Sequence, residues 1–337
     1  VIVSGRPGRN LLGGACPGCE TARVGEPTLR PSRDEDIPAM VDVARRSFLR
    51  ATGNETHWNL QNLARLRMLP GRDAAGDFPV VESDDRLLAW AGFLAHAPFT
   101  ELFAPVVMDP DLDDETAMTA ATLLFGYVDA RAHDVVADLP RDVSRVLATE
   151  IPAQDRRGLA LAAALGFAPE RHEYEMTIDV DPSTPAPPWP DGVSVVAVRG
   201  PEDAGLVTDL LEVSFADHPG NAPFSLETIT HVLGDAVLNR DASVVAHDDD
   251  GPVGLVLCRD RPSTGYVWVI GVVPRARRRG LGGALLQHAF HRYATLGRTT
   301  VELDVDGGND SGALTVYARA GMTVRTDNML LTRPIAP

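Results

Sequence analysis

The sequence predicts an α/β (α+β) protein of two tandem domains, each a mostly antiparallel mixed sheet flanked by helices. Three observations carry this expectation. Strand-like apolar runs alternate with runs of helical period along the chain. A segment beginning at Asp181 and ending at Pro190 places five prolines in ten residues, which excludes helix and disfavours a central strand. The landmarks on either side of it recur in the same order, as in a diverged duplication.

The repeat is read from paired motifs. Glu35-Asp36 precedes an apolar helix ending at Ser47-Phe48, and Glu202-Asp203 precedes one ending at Ser214-Phe215, 167 positions later in each case. Further on, Val107-Met108-Asp109-Pro110 matches Val272-Val273-Pro274, and Leu165-Gly166-Phe167 matches Ala320-Gly321-Met322. The chain thus divides into a flexible tail (1–26), a first domain (27–180), a proline-rich linker (181–191) and a second domain (192–337). In the second domain, strands are expected over 193–198, 242–247, 253–259, 266–273, 299–305 and 329–332. Helices are expected over 204–215, 226–233, 280–296 and 312–320, the last two opening at glycines.

Composition removes several function classes. All 31 basic residues are arginine, so neither a Schiff-base lysine nor a phosphate-loop lysine exists. The net charge of −16 opposes nucleic acid and favours a cationic small substrate. No run approaches the roughly 20 apolar residues that span a bilayer, and no secretory signal is evident, so a cytoplasmic location without membrane attachment is expected. Cys16 and Cys19 lack the second pair of a tetrahedral zinc site, and no metal is expected.

The chemistry concentrates in one segment. An apolar strand from Tyr266 runs through Ile270, Gly271 and Val272 to Pro274, then to Arg277-Arg278-Arg279-Gly280-Leu281-Gly282-Gly283 and a helix with apolar residues every four positions. A helix opening this way offers unpaired N–H groups at its positive end, which suits a pyrophosphate. The dinucleotide fingerprint would need a small residue where Leu285 stands. What remains, Arg-x-x-Gly-x-Gly after a strand and a proline, resembles the acyl-CoA loop of the GCN5-related N-acetyltransferase (GNAT) superfamily. A second segment, from Asp304 through Asn309 and Tyr317 to Gly321-Met322, resembles that family's closing motif, with Met322 where the family has Phe.

The resemblance covers about 140 residues of the second half well and the first half in outline. It implies an N-acetyltransferase using acetyl-CoA and a primary amine of a small molecule or peptide, by direct attack in a ternary complex. The backbone of Ile270, Gly271 and Val272 would pair with the pantetheine arm. The turn formed by Arg277, Arg278, Arg279, Gly280, Leu281, Gly282 and Gly283 would hold the pyrophosphate, and Asn309 would touch the coenzyme. Tyr317 would protonate the departing thiolate. Asp304 is the candidate base, with Glu302 and Asp306 on its face by two-residue alternation. Phe215 and His218 fall where the family builds its acceptor pocket.

Aligning Pro110 with Pro274 gives Asp113, Thr116 and Met118 for Arg277, Gly280 and Gly282, and aligning Gly166 with Gly321 gives Ala162 for Tyr317. The first domain is therefore expected to be a degenerate copy that packs on the second, a plan similar to mycothiol-synthase-like tandem members. Since the strand before the loop carries no acid, a non-catalytic acyl-CoA sensor or scaffold stands as the alternative.

Overall fold

The computed structural model describes residues 25–335 apart from 57, 69–71, 96–98, 141, 217–224 and 309–311. Most of the expected tail therefore lies outside the described residues.

The first half runs β1 (Thr28–Pro31), α1 (Ile37–Thr52), α2 (Leu60–Arg67), β2 (Pro79–Ser83), β3 (Arg86–Ala91), β4 (Glu101–Phe103), β5 (Val106–Met108), α3 (Asp114–Val136), β6 (Val146–Pro152), α4 (Arg156–Ala164) and β7 (Ala168–Asp179). The second half repeats the plan with β8 (Ser194–Ala197), α5 (Ala204–Phe215), α6 (Leu226–Gly234), β9 (Val244–Asp248), β10 (Gly251–Asp260), β11 (Gly265–Val272), α7 (Leu281–Thr295), β12 (Thr300–Asp306), α8 (Ala313–Arg319) and β13 (Thr323–Pro334). The periodicities explain the elements. Leu281, Leu285, Ala289 and Tyr293 form one buried stripe on α7, and the left-handed Gly53 closes α1 by donating its N–H to Leu49 O.

Expected and observed elements of the second half agree closely, except that the last strand extends far beyond 329–332, from Thr323 to Pro334. Its length has a reason in the sheet. One four-stranded sheet has the order β1-β2-β3-β5, and a nine-stranded sheet has the order β4-β6-β13-β7-β12-β11-β10-β9-β8. Every ladder is antiparallel except β4 with β6 and β11 with β12. The last strand of each half lies against the other half: β7 pairs with β12 from Thr300↔Asp179 to Asp306↔Glu173, and β13 pairs with β6 from Asn328↔Pro152 to Pro334↔Val146. The two exchanged strands also pair with each other.

The cores are shared in the same way. Leu331 is buried in the cluster built on α3, and Met176 in the cluster built on α7. Removing either side chain would open a cavity in the other half of the chain. The proline-rich segment connecting the halves is fastened to α7: Gln287 donates to Pro185 O, and His291 Nδ1 lies 2.9 Å from Thr184 O.

Candidate functional site

The second-half site starts where two strands separate. β11 and β12 pair only at Gly265↔Val301 and Tyr266↔Glu302. Beyond Tyr266, β11 continues alone on that side to Val272 while β10 still covers its other edge. A register shift opposite Leu257/Cys258 inserts Trp268 as an extra residue in β11 and bends the strand. Backbone groups of Ile270 and Val272 on the open edge therefore lack a strand partner, as an extended amide-bearing chain would require. Gly271 owes its identity to packing, since a Cβ there would lie 3.0 Å from Ser214 Cβ on α5.

β11 leads into a short turn at Pro274–Ala276 and then to α7. Arg278 and Gly280 both take left-handed backbone, with φ of 60° and 83°. The helix N-cap is Gly280 and no side chain caps it. The first-turn amides of Leu281, Gly282 and Gly283 thus have no helical partner. A Cβ on Gly280 or Gly283 would meet nothing within 4 Å, and one on Gly282 would meet only Val272 Cγ2 at 3.9 Å. The glycine positions of this turn thus border open space.

The arginines at this mouth are not equivalent. Arg277 turns inward, donating to Val272 O (3.1 Å) and Ser214 O (2.8 Å), which ties the loop to β11 and α5. Arg275 and Arg279 share Asp248, at 2.9 and 3.5 Å. Among the described residues Arg278 has no ion-pair partner, so its charge is the one left for an anion.

Tyr317 on α8 is 8% exposed, and burial pushes its hydroxyl up to about 12. Its hydroxyl is therefore neutral at physiological pH and has no hydrogen-bond partner among the described residues. Asp304 sits on β12, half exposed, and accepts from the Tyr266 hydroxyl at 2.7 Å, with Arg261 at 3.5 Å. Tyr266, raised by burial and then by Asp304, stays protonated, and the Arg261 guanidinium lies 3.8 Å from its ring centre. Phe215 ends α5 beside this core. Asn309 and His218 lie outside the described residues.

Sequence reasoning overlooked two groups. Tyr266 opens the strand that lacks an acid, and only the register with β12 brings a carboxylate to it. Strand exchange adds Glu173 and Glu175 of β7, which lie opposite Asp306 and Asp304. Their only sequence signal is the alternation Arg171, Glu173, Glu175.

The first half has a matching fork with a different chemistry. β4 pairs with β6 in parallel, after which β5 turns to β3. The helix that follows, α3, is capped by Asp113, whose carboxylate accepts from Thr116 N at 2.9 Å. The caps make Asp113 the counterpart of Gly280, correcting the alignment of Asp113 with Arg277: three residues separate Asp113 from Pro110 where six separate Gly280 from Pro274. The pairing of Ala162 with Tyr317 holds geometrically. Phe167 N donates to Ala162 O and Met322 N to Tyr317 O, both at 3.0 Å. Left-handed Gly166 and Gly321 stand between them.

Among the described residues no group of three or more His, Cys, Asp or Glu is placed to hold a metal, and no helix is long and apolar enough to cross a membrane.

Residues 207–322 match the model of the acetyltransferase (GNAT) family. The mycothiol acetyltransferase of Kytococcus sedentarius is 30% identical over 295 residues, covering 85% of this chain and 90% of the relative. That of Sanguibacter keddieii is 27% identical, covering 71% and 84%. Among solved structures, a GCN5-related N-acetyltransferase from Sphaerobacter thermophilus superposes with a TM-score of 0.78 at 25% identity, over 92% of this chain and 96% of that one. A tandem GNAT protein from the clavulanic acid biosynthesis pathway has the same fold, with a TM-score of 0.67 at 16% identity over 93% and 99%.

Proposed function

The chain belongs to the GNAT superfamily as a tandem-domain acetyl-CoA-dependent acetyltransferase, and from that premise we propose that its second half transfers the acetyl group to a primary amine of a small molecule by direct attack in a ternary complex. The observation that carries this reading is the open edge of β11 beside the uncapped end of α7. A pantetheine arm laid along that edge puts its diphosphate on the amides of Leu281, Gly282 and Gly283, with Arg278 supplying charge. Acetyl-CoA is a substrate here and contributes the thioester.

The remaining steps fall to side chains. Asp304, oriented by the Tyr266 hydroxyl, takes the proton that the amine nitrogen loses as its bond to the acetyl carbon forms. A free N–H on the β11 edge stabilises the developing oxyanion. As the carbon–sulfur bond breaks, Tyr317 gives its proton to the thiolate, a role suited to a hydroxyl that burial keeps neutral. In this reading the first half binds no acyl-CoA at its own loop, because Asp113 already occupies the amide a phosphate would use.

The relatives carry the name mycothiol acetyltransferase, and that name directs the acceptor search toward small molecules. The test is thiol release from acetyl-CoA across an amine panel, together with calorimetry of acetyl-CoA binding. The expected result is binding and amine-dependent release. Absence of coenzyme binding would overturn the assignment of donor site and proton donor together.

A further inference from the structure

The fork of the first half holds a cavity of about 640 Å³ that reaches across the exchanged sheet to Asp304. Its lining includes Val107 of β5, Ala117 and Phe125 of α3, and Ala162, the small residue standing where Tyr317 stands in the other half. Acidic side chains line it too, beside Arg50, Arg157 and Arg171. The ladders put Glu150 of β6, Asn328 of β13, Glu173 and Glu175 of β7 and Asp304 of β12 on one face of the sheet.

Most of these carboxylates have cations. Glu175 and Glu302 are met by Arg325 at 2.7 and 2.9 Å, Glu302 also by Arg261, and Glu173 by Arg171 at 2.9 Å. Asp304 has the Tyr266 hydroxyl and Arg261. Glu150 is the exception: among the described residues no arginine pairs with it, and its side-chain hydrogen bond is to Asn328. Burial first, then the charges of Asp304 and Glu173, push its carboxyl up to about 7. Three further groups lining the same cavity have buried polar atoms without a hydrogen bond, among them Arg157, whose guanidinium is ion-paired with Asp114 at 3.0 Å. The Thr149 side chain, fully buried, has no partner for its Oγ1, and Asn328 has none for its Oδ1. Thr149 faces the other side of β6 from Glu150, whereas Asn328 shares its face. A buried acid without a counter-charge, next to that idle amide oxygen, is matched by an ammonium, which carries one charge and three N–H donors and no acceptor.

We propose that the acceptor is an aliphatic amine with a second positive charge, its reacting nitrogen at Asp304 and its distal ammonium on Glu150 and Asn328 in the first-half cavity. This rests on the acetyltransferase reading and adds to it a specificity site supplied by the degenerate half. The distal charge replaces the missing arginine, and the apolar fork beyond it leaves room for the rest of a longer chain.

The test is calorimetric titration of the full chain, with and without coenzyme A, using 1,5-diaminopentane and spermidine, each against n-pentylamine. The diamine or the triamine should bind at least about tenfold more tightly than the monoamine, as expected for one added, partly buried ion pair. Glu150→Gln should erase that preference and Glu150→Asp should retain part of it. Because an ammonium favours the ionised acid, binding to the wild type near pH 7 should release protons, seen as a heat that changes with the buffer's ionisation enthalpy, and Glu150→Gln should abolish this release. Equal affinity for all three amines in the wild type, or a preference that survives Glu150→Gln, would overturn the proposal. These outcomes are read independently of thiol release: turnover without a charge preference sinks only this inference, and a charge preference without turnover overturns the transferase reading, and with it the amine's role as acceptor, while leaving the ammonium site at Glu150.

Discussion

Helices α3 and α7 follow equivalent strands in the two halves, yet their first turns present opposite surfaces. At α7 a left-handed glycine caps nothing, and four arginines lie between Pro274 and Gly280. At α3 an aspartate fills the cap and two more acids follow it in the first turn. The macrodipole is the same in both. What differs is whether the chain satisfies the helix end itself or leaves its amides open, and in the function proposed above that difference separates a donor site from a structural end. The same fork, with its loop three residues shorter and alanine in place of tyrosine, becomes a cavity.

The strongest way to break this comparison is Gly282→Glu, which places a carboxylate among the α7 amides. Acetyl-CoA affinity by calorimetry should fall by more than about 100-fold, and near-normal affinity would remove the distinction between the helix ends. Tyr317→Phe should leave that affinity unchanged while lowering kcat by about 10²-fold or more, whereas Ala162→Tyr in the first half should create no activity. The sharing of cores predicts crossed effects. Leu331→Ala should cost about 2–5 kcal/mol and lower hydrogen-exchange protection in α3 and β6 of the first half, with Met176→Ala acting reciprocally on the second.

A smaller effect separates the acids of the exchanged sheet. Glu150, raised to about 7 from an ordinary 4.5, contributes its full stability below pH 4.5 and loses it as pH rises through 7. Relative to the wild type, Glu150→Gln should therefore gain stability between pH 5 and pH 8, by about 3 kcal/mol at most, as read from denaturant midpoints at the two pH values. Last, Asp113→Ala should cost about 1 kcal/mol as a lost cap without conferring acetyl-CoA binding, because the short loop and its remaining acids stay.

Much of the second half is legible in the sequence because its signals are local. Helix 204–215 matches its expected bounds to the residue, and the strand–loop–helix from Tyr266 to Thr295 within one or two, since period, proline and glycine act within a few residues. The division of labour among the arginines is not legible: three consecutive guanidiniums look alike in sequence, and only the positions of Ser214 O, Val272 O and Asp248 tell them apart. The last strand outruns its sequence signal because Thr323–Asn328 is polar on the face that meets Glu173 and Glu175, and alternation marks a strand poorly when its partners are charged.

Sequence by itself determined the fold class, the duplicated plan, the glycine turn before α7 and the tyrosine on α8, all of which depend on neighbours close along the chain. Tertiary structure decided that each half completes the other's sheet, that Tyr266 meets Asp304, and that Glu150 lines a cavity with no arginine paired to it among the described residues. The reason is that strand partners are chosen by hydrogen bonding and burial between segments more than 100 residues apart in sequence, as in Thr300↔Asp179 and Asn328↔Pro152, and no local pattern encodes that choice.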